Sequence, residues 1–257
     1  MFRDKLKNNE KTVGMIVHLN DVGVARIAAL SGYDFVWVDL EHSSMSFETL
    51  LADISVIKAS GAAVIVRVPQ NDLTYTKKVL EMGVDGIIFP MIRSANEANE
   101  QISWTLYPPY GTRGFGPIGA VDYGFGDSKK YVDGTCDELC RFIQIEHVDA
   151  VEELDAIMDN EYIDGYIFGP NDLSGSLGEM LDVFGDKTLS VIRSVMDRLE
   201  ARGKYTGLAT GDVSEDTLRR WSGMGVRMLA AGVDYCLFKD AALENRRKLD
   251  GIHKNGE

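Results

Sequence analysis

Four short stretches of the sequence combine acids, bases and cations in a way that could do chemistry: Asp39-Leu-Glu41-His42, Val66-Arg67, Gln144-Ile-Glu146 and Gly169-Pro-Asn171-Asp172. Each closes a short apolar run. Glu146 and Asp172 close neighbouring runs, and adjacent strands of one sheet lie about 4.8 Å apart, so their carboxylates can converge on one ion. Two carboxylates with positions to spare suit Mg2+ or Mn2+ better than zinc, which prefers His and Cys. Taken singly, either acid could equally be a helix cap or an ion-pair partner, Asp172 especially, since Leu173-Ser-Gly follows it. Arg67 ends the otherwise apolar Val64-Ile-Val-Arg-Val-Pro. A buried guanidinium must be answered by a structural carboxylate or by an anionic ligand, such as a substrate carboxylate or an enolate oxygen. His42 reads either as a hydrogen-bonded loop residue or as a base. His18 closes the first run with nothing beside it in sequence to complete a role, and reads as structural. No lysine lies within or closes any run, which argues against imine chemistry and for a metal as the electron sink.

The elements that must position these residues are legible as an alternation. Apolar runs at 13–19, 35–41, 63–68, 86–92, 141–146, 165–169, 205–209 and 226–232 are each followed by a stretch of helical period, at 21–30, 46–59, 72–82, 95–104, 150–158, 187–202, 214–223 and 235–249. The runs are apolar on both alternations, as parallel strands covered by helices must be. Gly32, Gly61, Gly83, Gly203 and Gly225 stand between a helix and the next run, where a left-handed residue can end the helix. Eight units without a Pro/Gly/Ser-rich linker predict one single-domain (β/α)8 barrel over residues 1–257 rather than a doubly wound sheet. Active sites of such barrels sit at the carboxyl ends of the strands, where the four stretches fall.

One connection, at about 107–139, is out of scale. It holds Gly114-Phe-Gly116-Pro-Ile-Gly119, which matches GxGxxG but follows a proline-rich loop and opens no helix, so it is not read as a dinucleotide site. It begins at the end of the barrel opposite the catalytic face, and its Arg113, Phe115, Tyr123 and Phe125 are expected to pack on a neighbouring subunit and wall that subunit's pocket. A surface flap is the plainer reading.

Composition narrows the function classes. The chain has 257 residues, 45% hydrophobic and 26% charged, which is ordinary for a globular protein. A net charge of −13 repels a phosphate backbone, so nucleic acid is not an expected partner. No apolar run reaches the roughly 18 residues of a membrane span, and the charged amino terminus lacks a signal-peptide core. A cytoplasmic location with three reduced cysteines is expected.

Asp39-Leu-Glu-His42, Val66-Arg67, Tyr107-Pro-Pro-Tyr-Gly-Thr-Arg-Gly, Gln144-Ile-Glu146 and Gly169-Pro-Asn-Asp172-Leu-Ser, in this order along nearly the whole chain, resemble the HpcH/HpaI family of metal-dependent pyruvate aldolases. The resemblance implies reversible cleavage of a 4-hydroxy-2-oxo acid to pyruvate and an aldehyde, with Mg2+, Mn2+ or Co2+. It implies His42 as the base for the aldol hydroxyl, Arg67 as the stabiliser of the enolate, and Glu146 and Asp172 as metal ligands. Gln144 and the backbone at Asn171-Asp172 would hold pyruvate. The family's Asp behind the histidine corresponds here to Glu81, one methylene longer. A homo-oligomer, commonly a hexamer, is also implied. Related barrels that cleave CoA esters would need a basic, adenine-accepting surface that this acidic chain lacks. A non-catalytic barrel that binds an oxo acid is the reading from another class.

Overall fold

A computed structural model describes residues 2–254. Eight parallel strands, β1 Thr12–Val17, β2 Phe35–Asp39, β3 Ala63–Arg67, β4 Gly86–Phe89, β5 Cys140–Ile145, β6 Gly165–Phe168, β7 Thr206–Thr210 and β8 Met228–Val233, close in sequential order, with β8 pairing back on β1. The (β/α)8 barrel read from the sequence is therefore the observed fold.

The period of two explains both faces of the wall. Val36, Val38, Val64, Val66, Ile143 and Ile145 pack outward against the helices, whereas Phe35, Trp37, Ile65, Ile88, Phe142 and Ile167 fill the barrel. Large rings are matched by glycines. A Cβ at Gly14 would lie 2.2 Å from the Phe35 ring, and one at Gly165 would lie 2.8 Å from Phe142.

The helices start where short polar side chains cap them. Asp21, Ser46, Asp72, Ser94 and Ser214 each accept a hydrogen bond from a first-turn amide. Gly32, Gly61, Gly83, Gly203 and Gly225 all have φ between +63° and +93°, as their places after helices require. The stretch expected as one helix at 150–158 is two, Val148–Glu152 and Leu154–Met158. The break falls at Glu153, whose carboxylate accepts the amide of Ala95 at 2.8 Å.

The 107–139 segment is not all loop. It contains a 3-10 turn, Gly119–Gly124, and a helix, Ser128–Glu138, capped by Asp127. Arg141, fully buried in β5, ties its end down by donating to the carbonyls of Thr135 and Leu139 at 2.8 and 3.0 Å. The amino-terminal helix Phe2–Lys7 is anchored beside it, with Arg3 donating to Asp164 at 2.7 Å.

Candidate active site

Asp39 and Arg67 are register partners at the carboxyl ends of β2 and β3, both on the inward alternation. Their side chains meet: Arg67 Nε donates to Asp39 Oδ1 at 3.2 Å, and Nη2 donates to Oδ2. Nη1 lies 2.8 Å from Glu41 Oε2 and donates to Gln144 Oε1 at 3.3 Å. The guanidinium carbon stands 5.3 Å from the Trp37 ring centroid, the apolar layer beneath.

The guanidinium anticipated to need an anion thus has structural ones, Asp39 and Glu41. Burial opposes Arg67's charge, but Asp39, Glu41 and Glu146 outweigh it and hold its pKa above the usual value. Burial likewise opposes ionisation of Asp39, yet the hydrogen bond from His18 and the charge of Arg67 hold it below the usual carboxylate range.

Glu146 follows β5 on the same alternation as Gln144. Its Oε1 accepts the Met91 amide at 2.7 Å and its Oε2 accepts Gln144 Nε2 at 2.9 Å. Gly169, just past β6, makes room for it, since a Cβ there would stand 2.1 Å from Glu146 Oε2. Burial pushes the Glu146 carboxyl up to about 7, against the pull of the Met91 amide and Arg67. A buried carboxylate short of positive charge is a natural place for a cation.

Asn171 and Asp172 lie in the first turn of the helix Pro170–Ser176, whose N-cap is Gly169 with no capping side chain. That helix opens before Asp172 rather than after it, so Asp172 is not the cap that its sequence setting allowed.

One cavity of about 360 Å3 at the mouth of the barrel is lined by His42, Arg67, Gln144, Glu146, Asn171 and Asp172, with Ile16 beneath. Six of the seven residues expected at the site line this cavity, and the seventh, Glu81, does not. The His42 side chain is 60% accessible, with Nε2 3.6 Å from Glu41 Oε2. The opposite wall is Thr210, Gly211, Asp212, Val183, Phe184 and Trp221. Phe184 stacks on Trp221 at 4.9 Å. Gly211 lines this wall too, whereas Gly232 takes a left-handed backbone conformation with φ +87°.

Glu81 is not brought to His42 within the chain. It ends the helix Leu73–Glu81, which runs back from the mouth to the start of β4. There it pairs with Arg113 at 3.5 Å, and Arg113 is enclosed by the rings of Tyr107 and Tyr131. Glu81 lines a separate, apolar-walled cavity of about 590 Å3 with Lys77, Lys78 and Tyr123.

Two site residues escaped sequence reasoning. Asp39 was visible only as part of its stretch, and His18 was set aside, yet His18 Nε2 lies 2.9 Å from Asp39 Oδ2. The signal was there in the alternation Thr12, Gly14, Ile16, His18, which places His18 on the inward face.

Comparison with known proteins decides the family. The profile of the HpcH/HpaI aldolase/citrate lyase family matches residues 12–241. The chain belongs to that family. A 2-keto-3-deoxy-L-rhamnonate aldolase of Escherichia coli is 32% identical over 255 residues, 99% of this chain and 94% of the relative. The crystal structure of an HpcH/HpaI aldolase from Desulfitobacterium hafniense superposes with a TM-score of 0.89 at 29% identity, covering 96% of this chain and 95% of the other. The citrate synthase SbnG is also similar, with a TM-score of 0.83, 25% identity and coverage of 99% and 98%. As a member of the HpcH/HpaI family with aldolase relatives along its whole length, the chain is a carbon–carbon lyase of the aldolase type. Among the described residues, no helix is long and apolar enough to cross a membrane.

Proposed function

We propose that the chain is a class II aldolase that reversibly cleaves a 4-hydroxy-2-oxo acid, of the 2-oxo-3-deoxy sugar-acid kind, into pyruvate and an aldehyde. The observation that carries this reading is one cavity in which a guanidinium locked by carboxylates shares the barrel mouth with Glu146 and Asp172.

The donor set fits a hard divalent ion, Mg2+, Mn2+ or Co2+. Glu146 and Asp172 offer oxygen only, and among the described residues no third His, Cys, Asp or Glu joins them, which leaves positions for substrate and water. Such an ion, when bound, polarises the 2-oxo group of the substrate. Arg67 is held to place positive charge where negative charge develops on the 2-oxo oxygen, without reorganising. Gln144 and the backbone of Asn171 and Asp172 orient the pyruvate half. His42 takes the proton of the C4 hydroxyl as the C3–C4 bond breaks and returns it in the synthetic direction.

Glu81 assists His42 only if it comes from a second copy. This agrees with a homo-oligomer, a hexamer in our reading, built partly by the 107–139 segment, whose Phe115, Ile118, Tyr123 and Phe125 are exposed. The partners are small molecules, a 2-oxo acid and an aldehyde, met in the cytoplasm. The test is a panel of aldehydes incubated with pyruvate and Mg2+, Mn2+ or Co2+, with adducts read by mass spectrometry. Adducts with hydroxyaldehydes are expected; none with any aldehyde and any of the three metals would overturn the reading.

A further inference from the structure

His18 stands directly after β1, inward like Gly14 and Ile16 and nearer the mouth than Ile16, which lines the active-site cavity. Its place is fixed twice over. The amides of His18 and Leu19 both donate to Asp234 Oδ2, at 2.9 and 2.8 Å, and the edge of the ring meets Tyr235 with centroids 5.7 Å apart.

From there the imidazole reaches Asp39 Oδ2, the same oxygen that receives Arg67 Nη2. The other oxygen, Oδ1, takes the amides of Glu41 and His42 and the Nε of Arg67. Asp39 is fully buried, so these donors alone determine how its carboxylate is turned. The backbone amides hold Oδ1, and Oδ2 has one donor besides Arg67 itself, which is His18. Without it the carboxylate can swivel about its last torsion, carrying the docked guanidinium with it.

The protonation follows from the surroundings. His18 Nδ1 is buried and has no hydrogen-bond partner. Nε2 faces the Asp39 carboxylate, which can only accept, so Nε2 carries the proton that the ring donates there.

We propose that His18 is a positioning residue: by donating from Nε2 to Asp39, it fixes the carboxylate on which Arg67 is docked and so aims the guanidinium at the reacting oxygen of the substrate. The inference rests on the aldolase reading, and its test contains a part that does not.

In the turnover part, exchange of pyruvate methyl protons in D2O is measured for wild type, His18→Leu and His18→Gln with Mn2+. Loss of one hydrogen bond to a buried carboxylate predicts a kcat about 10-fold lower in His18→Leu, with the KM for pyruvate within about twofold. Gln, whose amide nitrogen can take the place of Nε2, should recover most of the rate. A His18→Leu protein as fast as wild type, or a folded His18→Gln protein as slow as His18→Leu, would overturn the proposal.

The second part needs no turnover. Nitrogen-15 NMR of the wild-type imidazole should show Nε2 protonated and Nδ1 bare, and the Arg67 Nε–H signal should be sharp in wild type and His18→Gln but broadened in His18→Leu. The opposite tautomer, or an Arg67 signal indifferent to His18→Leu, would overturn it. Wild-type protein that exchanges no pyruvate protons would remove the aldolase reading, while these spectra would still decide whether His18 orders Arg67.

Discussion

Gly169→Ala is the sharpest small perturbation of the proposed metal site. The backbone at Gly169 has φ −104°, which alanine adopts freely, so the change acts through contact alone. The new methyl carbon would start 2.1 Å from Glu146 Oε2 and 3.1 Å from Glu146 Cβ. Ordinary contact begins near 3.4 Å, so the carboxylate must retreat by more than an ångström. Glu146 is the flexible party and can turn away, which keeps the cost to folding at about 1–2 kcal/mol, the scale of modest overpacking. In turning, the carboxylate leaves Gln144 Nε2 and the Met91 amide, the two donors that aim it. Displacing a ligand and its orienting partners typically costs about 10- to 100-fold in metal affinity. The assay is Mn2+ titration by electron paramagnetic resonance or calorimetry, with circular dichroism to confirm folding. A folded Gly169→Ala protein that binds Mn2+ as tightly as wild type would refute the reasoning that Glu146, held against Gly169, is a ligand.

Three further outcomes follow from the geometry. Arg67→Ala should slow pyruvate proton exchange about 10²- to 10³-fold and lower stability by about 3–5 kcal/mol in denaturant melts, because Asp39 and Glu41 lose their shared cation; exchange within threefold of wild type would contradict the role given to it. Asp53 is fully buried with neither oxygen hydrogen-bonded, and burial, helped by Asp21 and Asp234, pushes its carboxyl from 3.8 up to about 7. A raised carboxyl contributes stability that is full below about 3.8 and lost as pH rises through about 7, so Asp53→Asn should flatten the fall between about pH 4 and 7 and gain about 2–4 kcal/mol at about pH 8 relative to wild type; parallel pH curves would count against it. Phe142→Ala, which empties the barrel layer opposite Gly86 and Gly165, should cost about 3–5 kcal/mol, read from the same denaturant melts, and a loss under 1 kcal/mol would mean that the barrel interior collapses around the gap.

The barrel was readable from the chain because the apolar runs and the helical stretches have different periods, and because capping Ser and Asp and left-handed Gly mark the joints. Gln144, Glu146 and Asp172 were readable because barrel topology sends strand ends to one mouth. Three things were hidden, each for a physical reason. The anions answering Arg67 are its register partner Asp39 and Asp39's neighbour Glu41, and strand register is set by three-dimensional closure, not by local pattern. His18 depends on Asp39 across the β1–β2 pair, 21 residues away in sequence, so its local setting looks empty. The resemblance implied Glu81 as the carboxylate behind His42, but a helix that returns from the mouth carries it to the other end of its own barrel, where Arg113 takes it.

The most direct test of the central claim is proton exchange at the pyruvate methyl group, followed by NMR in D2O on chelator-stripped protein before and after addition of Mn2+ or Mg2+. The account predicts negligible exchange in chelator, restoration by either ion, and none in Glu146→Gln under the same conditions. Undiminished exchange in chelator, or irreversible trapping of pyruvate on the protein by borohydride, would contradict it.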